Sequence, residues 1–213
     1  MSHGICNNCA PHAGSLSKAN LFRAQFLRDR IYKRLYVAGT RNDLKAAEQI
    51  VEEAIIANCQ PVDIPVGMIA PMLYKIGDGW ECGALTVEDE RRFTKFCEWA
   101  FELVASKVGN SRPQAQGRPF LMMNAPGNSH TLAVRFLALW LESRAITAQI
   151  VAGGTRAEEL VALIEKTGSR KLLISMSLVE QQTGISKVVS HLSTLPEDLN
   201  PKYSSVVMLL SSA

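Results

Sequence analysis

The sequence has no apolar run of the length, about 18 residues, that a membrane-spanning helix needs. Its N-terminus also lacks the apolar stretch of a secretory signal, so a cytoplasmic protein is expected. Charge of one sign is scarce. A net charge of +3 over 213 residues does not by itself imply nucleic-acid binding, no basic stripe is interleaved with aromatics, and neither helix-turn-helix nor zinc-finger spacing occurs. Direct contact with nucleic acid or with membrane is therefore not expected. Cysteine occurs in an odd number, Cys6, Cys9, Cys59, Cys82 and Cys97, which suits reduced thiols better than a disulfide framework. Phosphate-cradling signatures are missing too: Gly153-Gly154-Thr155 has neither a P-loop lysine nor a full dinucleotide glycine fingerprint, and reads as a strand-to-helix turn. No independent catalytic centre is visible, and the protein is not expected to be an enzyme by itself.

What is present is an ordinary globular composition, 47% hydrophobic and 20% charged, in a chain long enough for two small cores. Residues 1–15 read as a tail without periodicity. They hold Cys6-Asn-Asn-Cys9-Ala-Pro-His12, which has the spacing of half a metal site or a thiol pair, with no second CxxC to complete a zinc centre. From Leu16 to about Arg41 apolar residues recur at helical spacing with basic residues between them. Asn42 or Asp43 then caps a second helix running to about Cys59, and Gln60 to Pro65 breaks it. A third helix ends around Gly79 and Gly83. Thr86 with Asp89 forms a capping-box pattern for a fourth, whose inner stripe is Phe93, Phe96, Cys97, Phe101 and Val104. Short connections predict an antiparallel four-helix bundle over 16–108.

Residues 109–118 read as a linker, after which the pattern changes. Strands are predicted at 119–124, 146–152, 171–178 and 205–210, with helices at 129–144, 156–167 and about 184–195; Thr155 sits in the turn that caps the middle one. Such alternation predicts a small doubly wound, flavodoxin-like parallel sheet over 119–213. Three residues follow the last strand, so the closing strand and helix that such a sheet often carries are absent from this sequence. The fold class is thus α plus α/β, a four-helix bundle followed by a parallel-sheet domain. The junction Pro119 to Leu141 places His130 where α/β folds hold ligands, at the carboxyl edge of the sheet. A neutral imidazole there can coordinate a metal through one nitrogen while the other is held by an acceptor. A solvated helix-start histidine is the plainer alternative.

MIAPMLYKIGDGWECGALTVEDERRF resembles the bundle signature of the cobalamin-binding domain family, in which a tryptophan precedes a Glu-His pair by a fixed spacing. Trp80 and Glu90 keep that spacing, Arg91 stands where light-responsive members have histidine, and Val87 falls at a third cofactor-facing position. Asn128-Ser129-His130-Thr131-Leu132-Ala133 is similar to the family's Asp-x-His-x-x-Gly loop, and Ser175-Met176-Ser177-Leu178 to the stretch beside the nucleotide tail. The resemblance covers about residues 16–210. It implies a tetrapyrrole ligand, cobalamin or alternatively haem, with His130 as metal ligand and Asn128, Trp80, Val87, Glu90, Arg91, Ser175, Ser177 and Leu178 around it. Three departures stand out. Asn128 brings no charge where the family's Asp does, Ala133 replaces a glycine, and Ser211-Ser212 replaces a Gly-Gly pair.

These departures are similar to those of a divergent sensor branch, the haem-binding SCHIC domains and the stand-alone cobalamin-binding antirepressors. The resemblance therefore implies a light or redox sensor that regulates transcription by binding a partner regulator. Two alternatives remain: a corrinoid carrier that shuttles methyl groups within a methyltransferase system, and a cofactor-free interaction module in which Trp80 is core. Pairing of apolar helix faces with a second copy, a homodimer, is compatible with the pattern.

Overall fold

In a computed structural model, the backbone is described for residues 18–108, 116–196 and 202–207, and side chains for 25–108 and 117–196. The tail with Cys6, Cys9 and His12, most of the linker, and Ser211-Ser212 lie outside the described residues.

Helix α1 (Lys18–Thr40) ends at a turn in which Asn42 takes φ +52°. Asp43 then caps α2 (Leu44–Ile56) by accepting from the Ala46 N–H at 3.0 Å. α2 stops short of Cys59 because Asn58, at φ +65°, reverses the chain. Pro65–Ile69 forms one π-helical turn leading into α3 (Ala70–Glu81), and Pro71, with no N–H to give, follows the point where the ladder widens. α3 ends at Glu81, between Gly79 and Gly83 as expected, and the left-handed Gly83 at φ +73° makes the turn. Trp80 thus belongs to the last turn of α3.

α4 (Val87–Val108) starts with a reciprocal cap. Asp89 N–H donates to Thr86 Oγ1 at 3.1 Å, and Thr86 N–H and hydroxyl donate to Asp89 Oδ2 at 3.1 and 2.6 Å. These bonds from Thr86, with Arg92 nearby, hold the Asp89 carboxyl below its ordinary pKa. Their support is full above the ordinary Asp pKa and is lost as pH falls through the depressed one. Thr86→Ala is expected to lower the melting temperature by about 3 °C, read by thermal unfolding at pH 7. An unchanged midpoint would show that the cap contributes nothing.

Phe93, Phe96, Cys97, Phe101 and Val104 of α4 are all buried against Leu35, Ile50, Val51, Ile69 and Met72. Burial pushes the Cys97 thiol far above its usual pKa, so it packs as an inert apolar group. Gly39 permits this packing: a Cβ there would sit 2.7 Å from the Phe93 ring and 2.8 Å from Phe96.

Beyond the bundle, β1 (Gln116–Asn124), β2 (Ile146–Ile150), β3 (Lys171–Met176) and β4 (Lys202–Val207) form one parallel sheet in the order β2-β1-β3-β4. This is the start of the doubly wound flavodoxin-like order. Helix α5 (Leu132–Glu142) covers the face carrying Met122, while α6 (Ala157–Thr167) and α7 (Gln182–Leu192) cover that of Leu121, Met123, Leu172 and Ile174.

Several boundaries differ from the sequence expectation for local reasons. α5 begins at Leu132, not at residue 129, because the Asn128 side chain captures the His130 N–H and keeps the loop open. Thr155 bonds back to the Ala152 carbonyl, and Glu159 instead accepts from the Arg156 N–H at the start of α6. β3 stops at Met176, a short 3₁₀ turn (Val179–Gln181) leads into α7 two residues before Gly184, and β4 begins at Lys202 instead of Ser205.

α5 also ties the two parts together. Leu132, Phe136 and Leu139 belong to the bundle's core, and the Phe136 ring lies 5.1 Å from that of Phe101. Arg135 stacks over Phe101 at 4.6 Å and pairs with Glu102. Among the described residues no helix is long and apolar enough to cross a membrane.

Candidate functional site

A cleft of about 530 Å³ separates the α3–α4 face of the bundle from the carboxyl edge of the sheet. Its bundle wall is built at helical spacing: Ala70, Leu73, Tyr74, Gly77 and Trp80 along α3, and Val87, Glu90, Arg91, Thr94 and Glu98 along α4. Its sheet wall is the loop Ser129–Ala133, Phe136 at the bottom of α5, and Ser177 and Leu178 after β3. Topology explains why the two loops meet, since β1 and β3 are neighbours and both loops leave at the same edge.

Of the residues expected at the site, His130, Trp80, Val87, Glu90, Arg91, Ser177 and Leu178 line this cleft together. His130 is exposed in the loop that precedes α5. Trp80, Val87 and Leu178 are 47%, 46% and 42% exposed, an unusual state for three large apolar side chains around one opening. Trp80 is therefore not a core residue. Glu90 is half-buried and accepts the Thr94 hydroxyl at 2.8 Å, and Arg91 is exposed.

Asn128 and Ser175 do not line the cleft; they are buried behind it. Asn128 Nδ2 donates to the Ser175 carbonyl at 3.1 Å, while its Oδ1 accepts from the His130 N–H at 3.0 Å and the Ser177 hydroxyl at 2.9 Å. Gln181 continues the network, its Oε1 accepting from the Ser177 and Leu178 N–H groups at 3.0 and 3.2 Å. The loop that carries His130 and the loop that carries Leu178 are thus fastened to each other by one buried amide. Asn124, at the end of β1, holds the single buried oxygen without a hydrogen-bond partner among the described side chains.

Among the described residues no group of three His, Cys, Asp or Glu side chains is placed to hold a bare metal ion. His130 is the sole imidazole or thiol among the described lining residues. No side chain caps α5, so its first-turn N–H groups are available at the cleft as well.

Tyr74, Gly77, Thr94, Lys95 and Glu98 also line the cleft and were not singled out from the sequence. The signal existed: Gly77, Thr94, Lys95 and Glu98 each lie three, four, seven or eight residues from Trp80, Glu90 or Arg91 on the same helix, and Tyr74 lies three before Gly77, hence on the same faces.

In sequence, residues 31–104 match the family described as B12 binding domain. No curated protein matches the chain. In fold, the chain is similar to the monomethylamine corrinoid protein of Methanosarcina barkeri, with a TM-score of 0.73 and 16% identity over 86% of this chain and 87% of that one. Weaker likenesses are to the methanol:cobalamin methyltransferase complex of Methanosarcina barkeri, TM-score 0.43 at 13% identity over 90% and 81% of the chains, and to a cobalamin-binding protein from Desulfitobacterium hafniense, TM-score 0.42 at 12% over 85% and 83%. At these identities the likeness is one of fold, and only the first is close enough in shape to be informative. Residues 31–104, in the helical part of this chain, thus match the B12 binding domain family, and 86% of the chain shares the fold of the monomethylamine corrinoid protein.

Proposed function

We propose that this protein holds a corrinoid, cobalamin, in the cleft between bundle and sheet, and carries it for a partner enzyme in methyl transfer. The observation that carries this reading is the donor set. A single imidazole, His130, stands on the sheet wall, and the opposite wall offers apolar cover without a second imidazole or thiol among its described residues. The corrinoid supplies a cobalt centre able to take up and give up a one-carbon group. The chain's own residues do the rest. His130 provides one ring nitrogen, Asn128 fixes the loop that presents it, and exposed Trp80, Val87 and Leu178 give a flat macrocycle the apolar contact that water does not.

Arg91 supports the carrier reading over the light sensor. A guanidinium donates hydrogen bonds and has no lone pair for cobalt, so the position at which light-responsive relatives carry histidine offers no ligand here. The bundle wall would leave a bound corrinoid free to exchange its one-carbon group, as a carrier requires. Catalysis then belongs to the partner, and the chain is not an enzyme alone. The same reading has its thiols reduced in the cytoplasm.

One observation favours the sensor reading as a second choice. Both ends of Asn128 are taken by the loop network, so no charged acceptor on that loop strengthens the His130 ring as a ligand, and a weakly held ligand is easily released by a signal. Nothing in the cleft favours a transcription regulator over any other protein partner, and haem would use the same histidine. The exposure of Trp80 counts against a cofactor-free module that keeps it as core.

The test is an absorbance titration with hydroxocobalamin, methylcobalamin and haem, in dark and light, for wild type and His130→Ala. Stoichiometric cobalamin binding, with a histidine-dependent spectral shift lost in His130→Ala and no change of hydrodynamic size on illumination, is expected. A size change in light would move the reading to the sensor, a shift with haem alone would replace the corrinoid, and flat titrations throughout would sink it.

A further inference from the structure

Charge is segregated along this chain. Residues 18–41 contain seven cations, Lys18, Arg23, Arg28, Arg30, Lys33, Arg34 and Arg41, and one acid, Asp29, against a chain total of +3, so the remainder is net acidic. All but Arg41 lie on α1, which has 23 residues, about 34 Å, beside an α2 of 13 residues, about 20 Å. Among the described side chains of α1, Leu27 packs at the edge of the bundle core and Ile31 is the first that is buried.

The outward stripe of α1 reads Phe26, Arg30, Lys33 and Val37, with Arg41 just beyond the helix end, and its two apolar members are 62% and 44% exposed. Next to it, α1 and α2 enclose an open groove of about 390 Å³. Val37, Ala38, Ala46 and Ile50 give it an apolar floor, and Lys33 and Arg41 stand on its edges. Of the nearby acids, Asp43 on the groove caps α2 by accepting from the Ala46 N–H, Glu53 is paired with Arg34 and Glu52 with Lys107, whereas Lys33 and Arg41 have no ion-pair partner among the described residues. The groove shares no residue with the cofactor cleft.

We infer that the α1–α2 groove is the docking surface for an acidic amphipathic helix of a partner protein. Small floor residues let an apolar ridge approach, and carboxylates beside that ridge meet Lys33 and Arg41. A second copy of the chain is a poor occupant through a two-fold contact, because the stripe would set its cations against the same cations. A lipid surface fits less well, because Phe26 and Val37 are separated by three turns bearing cations instead of forming one apolar face. Nucleic acid would leave the apolar floor unused. This inference stands whether or not the cleft holds a corrinoid, and its test needs no cofactor.

The probe is a labelled synthetic helix of roughly 20 residues with leucine on one face and glutamate on both flanks, titrated with the full-length protein by fluorescence anisotropy. Saturable binding is expected, weakened about tenfold or more by Lys33→Glu with Arg41→Glu, similarly by Val37→Asp, and untouched by Lys187→Glu on α7. All positions are exposed, and circular dichroism checks that the variants remain folded. Parallel arms use phosphatidylserine vesicles, duplex DNA and the protein's own oligomeric state by light scattering. The inference is overturned if the wild type ignores the peptide, or if binding survives both charge reversals. It is equally overturned if vesicles, DNA or self-association, in place of the peptide, respond to the same variants.

Discussion

Phe136→Ala is expected to lower the unfolding free energy by about 3–5 kcal/mol, the usual cost of emptying a buried aromatic site. The reason is its position in two structures at once. Phe136 is a residue of α5, the helix that covers one face of the sheet, yet its ring is 2% exposed within the bundle core, 5.1 Å from Phe101. It also lines the cleft between bundle and sheet. Truncation removes apolar burial and leaves a cavity where bundle and sheet meet, so the loss is one of coupling as well as stability. Urea unfolding followed separately by near-ultraviolet and far-ultraviolet signals should give coincident transitions for the wild type, and separated ones for the variant. Phe26→Ala, truncating a ring 62% exposed, serves as the comparison and should change stability by less than about 0.5 kcal/mol. A Phe136→Ala variant as stable as Phe26→Ala, unfolding in one step, would mean that α5 does not join the two parts.

That dual role of α5 was not legible in the sequence. The apolar pattern of residues 132–141 shows a helix that is apolar on more than one face, but not which partner takes which face. By contrast the stripe of α4, the Thr86–Asp89 cap and the alternation of strand and helix were readable, because each is set by spacing within a single element. The parallel order of the sheet follows from that alternation too. Boundaries failed where a side chain overrode the period: Asn128 holds the His130 N–H and delays α5, and Glu159 takes over the cap expected around Thr155. For the site, the Trp80 to Glu90 spacing carried the bundle wall, and the loop resemblance carried His130. Ser175, expected beside the cofactor, is buried behind the cleft, where its carbonyl accepts from Asn128, a position that the spacing of the loop residues does not show. Gly39 gave no signal at all; its need appears only when the Phe93 and Phe96 rings are found against it.

The network behind the cleft yields the other large effect, on a residue that does not line the cleft. Asn128→Ala removes three hydrogen bonds together: to the Ser175 carbonyl, from the His130 N–H and from the Ser177 hydroxyl. At about 1 kcal/mol each, with Ser177 left buried, a loss of roughly 3 kcal/mol is expected. Asn128→Asp tests the direction of the bonds. A carboxylate accepts from His130 and Ser177 as before, but turns an oxygen towards the Ser175 carbonyl where the amide donated, so this near-isosteric change should still cost about 1–2 kcal/mol at neutral pH. The functional consequence separates from the structural one. With Asn128→Ala the loop is no longer fixed, so the histidine-dependent shift on adding hydroxocobalamin should weaken although His130 is intact. Free imidazole in the buffer should then restore the spectrum without restoring the urea midpoint, because it replaces a ligand and not a loop. If Asn128→Ala instead kept both the wild-type midpoint and the wild-type spectrum, the amide would be a bystander. His130 would then owe its place to the β1–α5 backbone alone, and the β3–α7 loop would move independently of the ligand.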